Sequence, residues 1–407
     1  MKKTPTKKFF ATADAIVTLQ DEKALKEYFA FSKTNKYVAA YNKEVSILGI
    51  PNEPLFFGNY KGEFAPDSRY PDVKVDGVSA TDEDFQSCVV DRGLFAVMPV
   101  EGEIAVYPTI YTAFNGMCAR AGIYGPLISN ADESRSFTPL PAELKGQWLT
   151  TGFHHNKGGS KWKICDGFID ACNSDNYVWL SEKKGYDAVI REVKKDHPNV
   201  TYATGLVSHE YLYIEVALND DLFLDGLKNM FLSYGVDVQS LTAGIYYCTS
   251  DVGNAAMSAY PFYTLNGTRF RLGKGVGIRH EGDACIAKFS KELKKLGMLF
   301  KEAEDMVEEL GNTTITHPAG CLQQIIEKHK WIPRKSACKV LEDTRLEYLG
   351  GKTCTAIDIY FKVAEIVEDA NALKQMTPTQ RVNMSEETAK LLTIKYGDYD
   401  LPYIAVE

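Results

Sequence analysis

The sequence contains no regularly spaced set of metal-binding or disulfide-forming residues. Its 407 residues include nine cysteines, an odd number at irregular spacing, and no two of them form a Cys-x-x-Cys pair. The seven histidines are also scattered, and neither His-x-x-x-His nor His-Glu-x-x-His occurs. A structural zinc site or a disulfide framework is therefore not indicated, and a reducing compartment fits the cysteine usage. We accordingly predict no metal and no cofactor.

Long apolar runs and an excess of positive charge are also missing. No stretch is apolar over the length of a bilayer-spanning helix, and the basic start MKKTPTKKFF is not followed by the apolar core of a signal peptide. The net charge of −8 disfavours nucleic-acid binding through bulk charge, although a basic channel in an acidic protein stays open. The prediction is a soluble, cytoplasmic protein with no membrane contact.

Several β-hairpins are predicted in the first 280 residues. Two-residue turns ending in glycine separate β-prone runs at Glu101-Gly102, Asp166-Gly167 and Asn266-Gly267. The stretch TSDVGNAAMSAYPFYTLNG, residues 249–267, is polar and Gly-bearing at its start, as a catalytic loop would be. Its Asn-Gly pair favours a different interpretation, a bend at Gly253 followed by a strand and a hairpin turn.

The pattern becomes helical after residue 282. Apolar residues recur at helical spacing from Asp283 to Leu310, which predicts one amphipathic helix of roughly seven to eight turns. We predict an α+β protein with a mixed, largely antiparallel sheet domain followed by a C-terminal helical domain. The predicted divisions are a flexible basic arm at 1–16, a mixed domain at 17–282 and a helical domain at 283–407.

The densest basic cluster lies immediately before the predicted long helix. It consists of Arg269, Arg271, Lys274, Arg279 and His280, in and beside the Gly-rich stretch GKGVGIRHEG. The stretch lacks the spacing of phosphate-binding loops, but the start of a helix attracts anions. A second basic element pairs lysines with an aromatic residue in SKWKI, namely Lys161 and Lys163. We predict that these seven residues form a nucleic-acid-binding site. The alternative is that the Gly-rich stretch is a flexible connector and that the aromatic residue packs in the core.

No catalytic residues are predicted. Asp166, Asp170 and Asp175 lie close together in DGFIDACNSD, and carboxylates can act as general acids, as general bases or as Mg²⁺ ligands. We interpret these acids as parts of turns. No Gly-x-Ser-x-Gly motif occurs, and each cysteine is interpreted as a small buried residue.

Four separated parts of the chain share the order and pattern of blocks in one known family. They are CARAGIYGPLISN with LPAELKGQWL, KICDGFIDACNSDNYVWL, AGIYYCTSDVGNAAMSAYPFYTLNG with GIRHEG, and TCTAIDIYFKVAEI. From about Cys118 to its end, the chain thus resembles the phage and plasmid-like family of domain of unknown function 932. It departs from that family at Asp251, where the family has Glu, and at Leu265, where members carry Cys. The resemblance implies a mobile-element setting in a bacterial host and brings no catalytic residues.

These observations leave three hypotheses about function. The leading one is a non-catalytic phage or mobile-element protein that binds single-stranded DNA in replication or recombination. The second is an anti-defence protein that inhibits a host immune protein by direct binding, which the acidic balance favours. The third is a Mg²⁺-dependent nucleotide-handling enzyme that uses the three aspartates. The predicted partner is therefore single-stranded DNA or a host defence protein, and homo-oligomerisation stays open.

Overall fold

The computed structural model of the chain describes residues 9–10, 15–49, 94–123, 141–165, 167–271, 275–372, 384 and 387–404. Its strands are β1 Val17–Leu19, β2 Lys36–Tyr41, β3 Ser46–Gly49, β4 Leu94–Val100, β5 Glu103–Pro108, β6 Gly159–Cys165, β7 Phe168–Ser174, β8 Thr201–Val207, β9 Leu212–Leu218, β10 Leu241–Thr249, β11 Met257–Leu265, β12 Thr268–Arg271, β13 Val276–Ile278, β14 Thr314–Ile315 and β15 Cys354–Thr355. Its helices are α1 Glu22–Ser32, α2 Tyr111–Ala121, α3 Ala142–His155, α4 Glu182–Val193, α5 Asp221–Ser233, α6 Ile286–Leu293, α7 Leu296–Asn312, α8 Pro318–Lys328, α9 Arg334–Glu347 and α10 Ala356–Ala372.

The largest sheet has seven strands in the order β1-β8-β9-β10-β11-β12, and β13 pairs with the other half of β11. Every pairing in this sheet is antiparallel. Strands β10 and β11 are nearly continuous runs of buried residues because both of their faces are covered. Strands dominate the first part of the chain and helices the last part, so the predicted α+β class is confirmed.

Two three-stranded sheets, β2-β6-β7 and β3-β4-β5, stand beside the large one. A parallel bridge between Thr109 and Ile169 connects them. Helices α2 and α3 pack against β7 and β3 and enclose a separate hydrophobic cluster that includes Trp162, Phe153 and Phe114. This packing fixes one face of β6 and β7, and it leaves their other face turned towards the large sheet.

The C-terminal helices pack on the large sheet. Helix α7 contacts β11, α10 contacts β12, and one hydrophobic cluster includes residues from the sheet and from α6 to α10. The predicted boundary at residue 282 therefore coincides with a change from strand to helix, while the cluster is continuous across it.

The long helix predicted from Asp283 to Leu310 is two helices, so that prediction is wrong. A turn at Lys294 and Lys295 separates α6 from α7. Helix α6 packs against α4 and β13, whereas α7 packs against β11 and α10. The apolar spacing continues through the turn because both helices bury residues in the same cluster, as Phe289 and Phe300 do.

Two of the predicted hairpin turns are confirmed, whereas Asp166 of the third lies outside the described residues. The turn residues Glu101 and Gly102 have φ values of 52° and 87°, and Asn266 and Gly267 have values of 49° and 83°. Two successive left-handed residues match the twist of a two-residue hairpin, and this is why glycine stands second in each turn. The predicted bend at Gly253 is also present, with φ of 86°.

Phe9 and Phe10 lie in the segment predicted as a flexible arm, and the structure describes both. Phe10 is buried, and its ring centre lies 4.2 Å from that of His209. The ring of Phe9 stacks on Phe31 of α1 with 5.0 Å between centres. These two residues belong to the packed structure, whereas 1–8 and 11–14 lie outside the described residues.

Candidate functional site

Arg269 and Arg271 lie on one face of β12, where the Arg269 side chain is 35% exposed and Arg271 is buried. Arg269 forms a two-point ion pair with Glu215 of β9, with 2.9 Å between Nη2 and Oε2, and its guanidinium lies 4.5 Å from the ring centre of Phe262. Arg271 is 3% exposed, and its guanidinium lies 3.3 Å from the ring centre of Tyr260. The expected exposed basic patch is therefore corrected here, because an internal carboxylate and aromatic rings engage both cations.

Arg279 is the member of the predicted cluster that the structure presents to solvent. Its side chain is 85% exposed, and its Nη1 lies 3.5 Å from Oε1 of Glu281. A pair this long between exposed groups is weak, so the guanidinium stays accessible to an anion. Lys274, which the sequence placed in the same cluster, lies outside the described residues.

His280 is buried and neutral rather than part of a cationic surface. Its Nδ1 lies 3.1 Å from the carbonyl oxygen of Val178, which can only accept, so Nδ1 carries the proton. Its Nε2 therefore accepts the hydroxyl proton of Thr249 at 3.0 Å. Burial lowers the pKa of His280, and the negative charge of Asp251 offsets this only in part. The ring also stacks on Tyr177, with 5.2 Å between centres.

The two lysines predicted to accompany the patch have different surroundings. Lys161 is half-buried, and its Nζ donates to the carbonyl oxygen of Tyr177 at 2.7 Å. Lys163 is 6% exposed and faces two carboxylates. The six predicted residues that the structure describes therefore do not form one exposed surface.

A β-bulge brings an aspartate to Lys163. In the β6–β7 pair, Lys163 stands opposite Ala171 and Ile164 stands opposite Ile169, so Asp170 is the extra residue of β7. A bulge interrupts the alternation of side chains along a strand, so it can turn the side chain of the extra residue to the sheet face opposite the one that strict alternation predicts. As a result, the Asp170 carboxylate lies 2.9 Å from Nζ of Lys163, with Oδ2 as the nearer oxygen.

Asp170 also contacts a histidine that the β8–β9 connection supplies. Its Oδ1 lies 2.9 Å from Nδ1 of His209, and its backbone carbonyl accepts the hydroxyl of Thr112 on α2 at 2.6 Å. Burial would raise the pKa of Asp170, but the Lys163 ammonium and His209 outweigh it and lower the pKa to about 2. Burial would lower the pKa of Lys163, but the charges of Asp170 and Asp251 raise it, so the ammonium group stays charged. The three side chains form a buried network in which the Asp170 carboxylate contacts both Lys163 and His209.

The loop between β10 and β11 supplies a second carboxylate to Lys163. Oδ2 of Asp251 lies 3.7 Å from Nζ of Lys163 and accepts the hydroxyl of Tyr37 at 2.9 Å. The backbone carbonyl of Asp251 accepts the amide of Asn173 at 3.0 Å, and the preceding carbonyl accepts the hydroxyl of Tyr177 at 2.7 Å. The loop predicted as a structural bend thus fastens the large sheet to β2, β6 and β7.

Glu182 adds a third buried carboxylate beside the network. It stands in the first turn of α4, which the Ser181 side chain caps, and it is 7% exposed. One of its oxygens accepts the hydroxyls of Tyr28 at 2.8 Å and Ser32 at 2.7 Å. Burial, followed by the charge of Asp251, raises the pKa of Glu182 to about 7. A carboxylate that titrates near neutrality is a recognised mark of a functional site.

A small cavity lies at the centre of these groups. Its volume of about 10 Å³ is enough for one water molecule. Its lining includes Lys163, Cys165, Asp170, Glu182, His209 and Asp251. Among them, Cys165, Asp170 and His209 each offer an atom of a type that binds metal ions, and these atoms lie within 4.8 Å of one another.

A larger, open cleft lies on the other side of the β10–β11 loop. It has a volume of about 470 Å³, and helix α2, the end of β7 and the loop form its walls. Its polar lining includes Arg120, Asn173, Ser174, Tyr177, Asn254 and Arg279. His280 also lines the cleft, and its partner Thr249 lines the small cavity, so this hydrogen-bonded pair stands between the two spaces.

Sequence reasoning missed most residues of the buried network. The interpretation of Asp170 as part of a turn is wrong, because it lies within β7. Its position inside the apolar run FIDAC was a usable signal, since an acid in such a run must be paired or functional. Glu182, His209 and Asp251 gave no comparable signal, because their partners are far away in the sequence.

No family model, no curated protein and no solved structure matches this chain. The resemblance to the phage and plasmid-like family stays a prediction. Among the described residues, no helix has the length and apolar character needed to cross a bilayer.

Proposed function

We propose that the protein binds DNA as a single strand, with the open cleft beside the β10–β11 loop as the contact site. The observation that carries the proposal is the cleft itself, which combines two arginines and uncharged polar groups with one carboxylate, Glu281. Its volume of about 470 Å³ lies in the range of sites for small organic ligands and suits one nucleotide unit of a longer strand.

The cations of the cleft suit a phosphate group. Arg279 is exposed and weakly paired, and Arg120 stands in the last turn of α2, which forms another part of the cleft wall. Guanidinium groups bind phosphate oxygens with two parallel hydrogen bonds, and such contacts supply most of the affinity for nucleic acid. The proposal therefore keeps Arg279 from the sequence-based site and replaces the internal arginines with Arg120.

Aromatic groups beside the cleft suit an unpaired base. The ring of Trp179 is half-buried, packs on Tyr37 with 4.6 Å between centres, and lies behind the cleft lining, 6.0 Å from the ring of Tyr177 in the cleft wall. Lys161 lies 6.0 Å from the Trp179 ring centre, which places a positive charge beside the aromatic surface. Stacking on such a surface tolerates any base and requires that the base be unpaired, so it favours single strands over duplex.

Fluorescence anisotropy with labelled single-stranded and duplex DNA, at low and at physiological salt, tests the proposal. The wild-type protein is expected to prefer single strands, with an affinity that falls as salt rises. The double variant Arg120→Ala/Arg279→Ala should bind roughly tenfold more weakly and lose roughly 1.4 from the salt slope, about 0.7 per phosphate contact. Arg334→Ala, which removes an exposed arginine on α9, is the matched control.

Two results would contradict the proposal. One is no binding of either DNA at micromolar protein and low salt. The other is a double variant that keeps the wild-type affinity and salt slope. If DNA does not bind and one host protein is retained in stoichiometric amount from a nuclease-treated lysate, inhibition of a host protein replaces DNA binding as the function.

A further inference from the structure

Three side chains that commonly bind transition metals meet in the small cavity. Cys165 ends β6, Asp170 is the extra residue of the bulge in β7, and His209 lies in the β8–β9 connection. All three are buried, and their candidate ligand atoms lie within 4.8 Å of one another. Three different elements of the fold thus bring a sulfur, an oxygen and a nitrogen to one point.

We propose that Cys165, Asp170 and His209 bind a divalent transition-metal ion of the zinc class. Thiolate and imidazole ligands favour zinc and similar ions over magnesium and calcium, which prefer oxygen ligands alone. Three protein ligands with a fourth position left for another donor is a known arrangement of zinc in proteins. The proposal concerns a different space from the cleft and does not depend on DNA binding.

The geometry of the histidine–aspartate pair needs little change to accept the ion. Nδ1 of His209 and Oδ1 of Asp170 are 2.9 Å apart. Tetrahedral coordination with bonds of about 2.1 Å separates two ligand atoms by about 3.4 Å. An outward movement of about 0.5 Å therefore lets a metal ion replace the proton between these two atoms.

The charges around the cavity favour a cation. The carboxylates of Asp170 and Asp251 line it together with the carboxyl group of Glu182, and Lys163 is the one lysine or arginine among the described lining residues. Asp251 also lines the cavity but does not belong to the group of mutually close ligand atoms, so the fourth position is left for a water molecule.

Lys163 does not block the site. Its Nζ lies 2.9 Å from Oδ2 of Asp170, and the proposed metal ligand is the other oxygen, Oδ1. The ammonium would stay as a hydrogen-bonding partner that orients the ligand, as outer groups do in many metal sites. The Phe10 ring, 4.2 Å from that of His209, covers the imidazole with an apolar group.

Binding changes protonation and involves no redox step. The Cys165 thiol loses its proton to solvent and forms a sulfur–metal bond. His209 binds as a neutral imidazole that carries its ring proton on Nε2, so Nδ1 forms the nitrogen–metal bond while Oδ1 of the ionised Asp170 forms the oxygen–metal bond. Each ion bound therefore releases the thiol proton, so the apparent affinity should rise with pH.

Elemental analysis of the full-length protein, purified without chelator, is the first test. About one equivalent of zinc-class metal is expected. The chelated protein is then titrated with Co²⁺, whose thiolate charge-transfer band reports a sulfur ligand and whose d–d bands report four-coordination. Cys165→Ser should lose the charge-transfer band, and His209→Gln should weaken binding at least roughly tenfold. Cys172→Ser, another buried cysteine in the same sheet, should retain both.

The wild-type measurement keeps the proposal testable even if a variant fails to fold. A wild-type protein that binds neither Zn²⁺ nor Co²⁺ would overturn it, as would Co²⁺ bound without a thiolate band. A Cys172→Ser protein that loses the band as Cys165→Ser does would also overturn it. Circular dichroism of each variant shows whether loss of the band reflects loss of the ligand or of the fold.

Discussion

Replacing Glu182 by glutamine should make the protein more stable at neutral and alkaline pH. Burial raises the pKa of this carboxyl from 4.5 to about 7, so the folded protein holds a proton that the unfolded chain has already released. Between these two values the folded state binds more protons, and its stability must fall as pH rises. The loss is complete above about pH 7 and is absent below about pH 4.5.

The size of the effect follows from the shift. A difference of about 2.5 between the folded and unfolded pKa corresponds to roughly 3 kcal/mol of unfolding free energy. Glutamine has nearly the shape of the protonated acid, and its oxygen can still accept the hydroxyls of Tyr28 and Ser32. Glu182→Gln should therefore match the wild type near pH 4.5 and exceed its stability by up to roughly 3 kcal/mol at pH 8.

Urea unfolding of chelator-treated protein, followed by fluorescence and circular dichroism across this pH range, measures the difference. The Glu302→Gln variant, on the exposed face of α7, is the matched control and should show no pH-dependent gain. The reasoning is refuted if the stability difference between Glu182→Gln and wild type stays constant with pH. It is equally refuted if the variant is the less stable protein at pH 8.

Four further substitutions test the packing of named residues through their urea midpoints. Gly146→Ala should destabilise the protein by about 2 kcal/mol, because its new Cβ would lie 2.5 Å from the Gly49 backbone nitrogen. Gly226→Ala has open space around its new Cβ and should stabilise α5 by up to about 1 kcal/mol. Equal changes in stability for the two variants would contradict this reasoning. Lys163→Met should cost roughly 3–5 kcal/mol because it leaves buried carboxylates unpaired, and a neutral result would refute the ion network. Arg271→Ala should destabilise the protein by roughly 2 kcal/mol through lost stacking, and no loss would contradict its buried placement.

The hairpin turns and helix ends are the parts of this fold that the sequence predicts well. The hairpin turns at Glu101 and Asn266 depend on two adjacent residues with positive φ, which a glycine in second place signals directly. The helix ends at Gly122 and Gly235 follow from the same preference. The break between α6 and α7 has no local signal, because it serves the different neighbours of each helix.

The candidate sites depend on burial and on distant pairing, which a linear pattern does not contain. Arg269 and Arg271 have the spacing of a basic surface, but β12 turns that face towards aromatic rings and Glu215. Asp170 meets His209 only because of a bulge and because two separate sheets lie side by side. An isolated histidine in a turn has no signature until its neighbours are known.

The Asn266-Gly267 turn has a consequence for the chemical ageing of the protein. Asn-Gly is the dipeptide in which the glycine nitrogen most readily attacks the asparagine side chain, and the resulting ring opens to aspartate or isoaspartate. Here the side-chain oxygen of Asn266 accepts the backbone amides of Gln239 and Ser240, and its nitrogen donates to the carbonyl oxygen of Asp237. These three bonds hold the side chain away from the attacking nitrogen, so deamidation at this exposed turn should be slow in the folded protein and rapid once the hairpin opens.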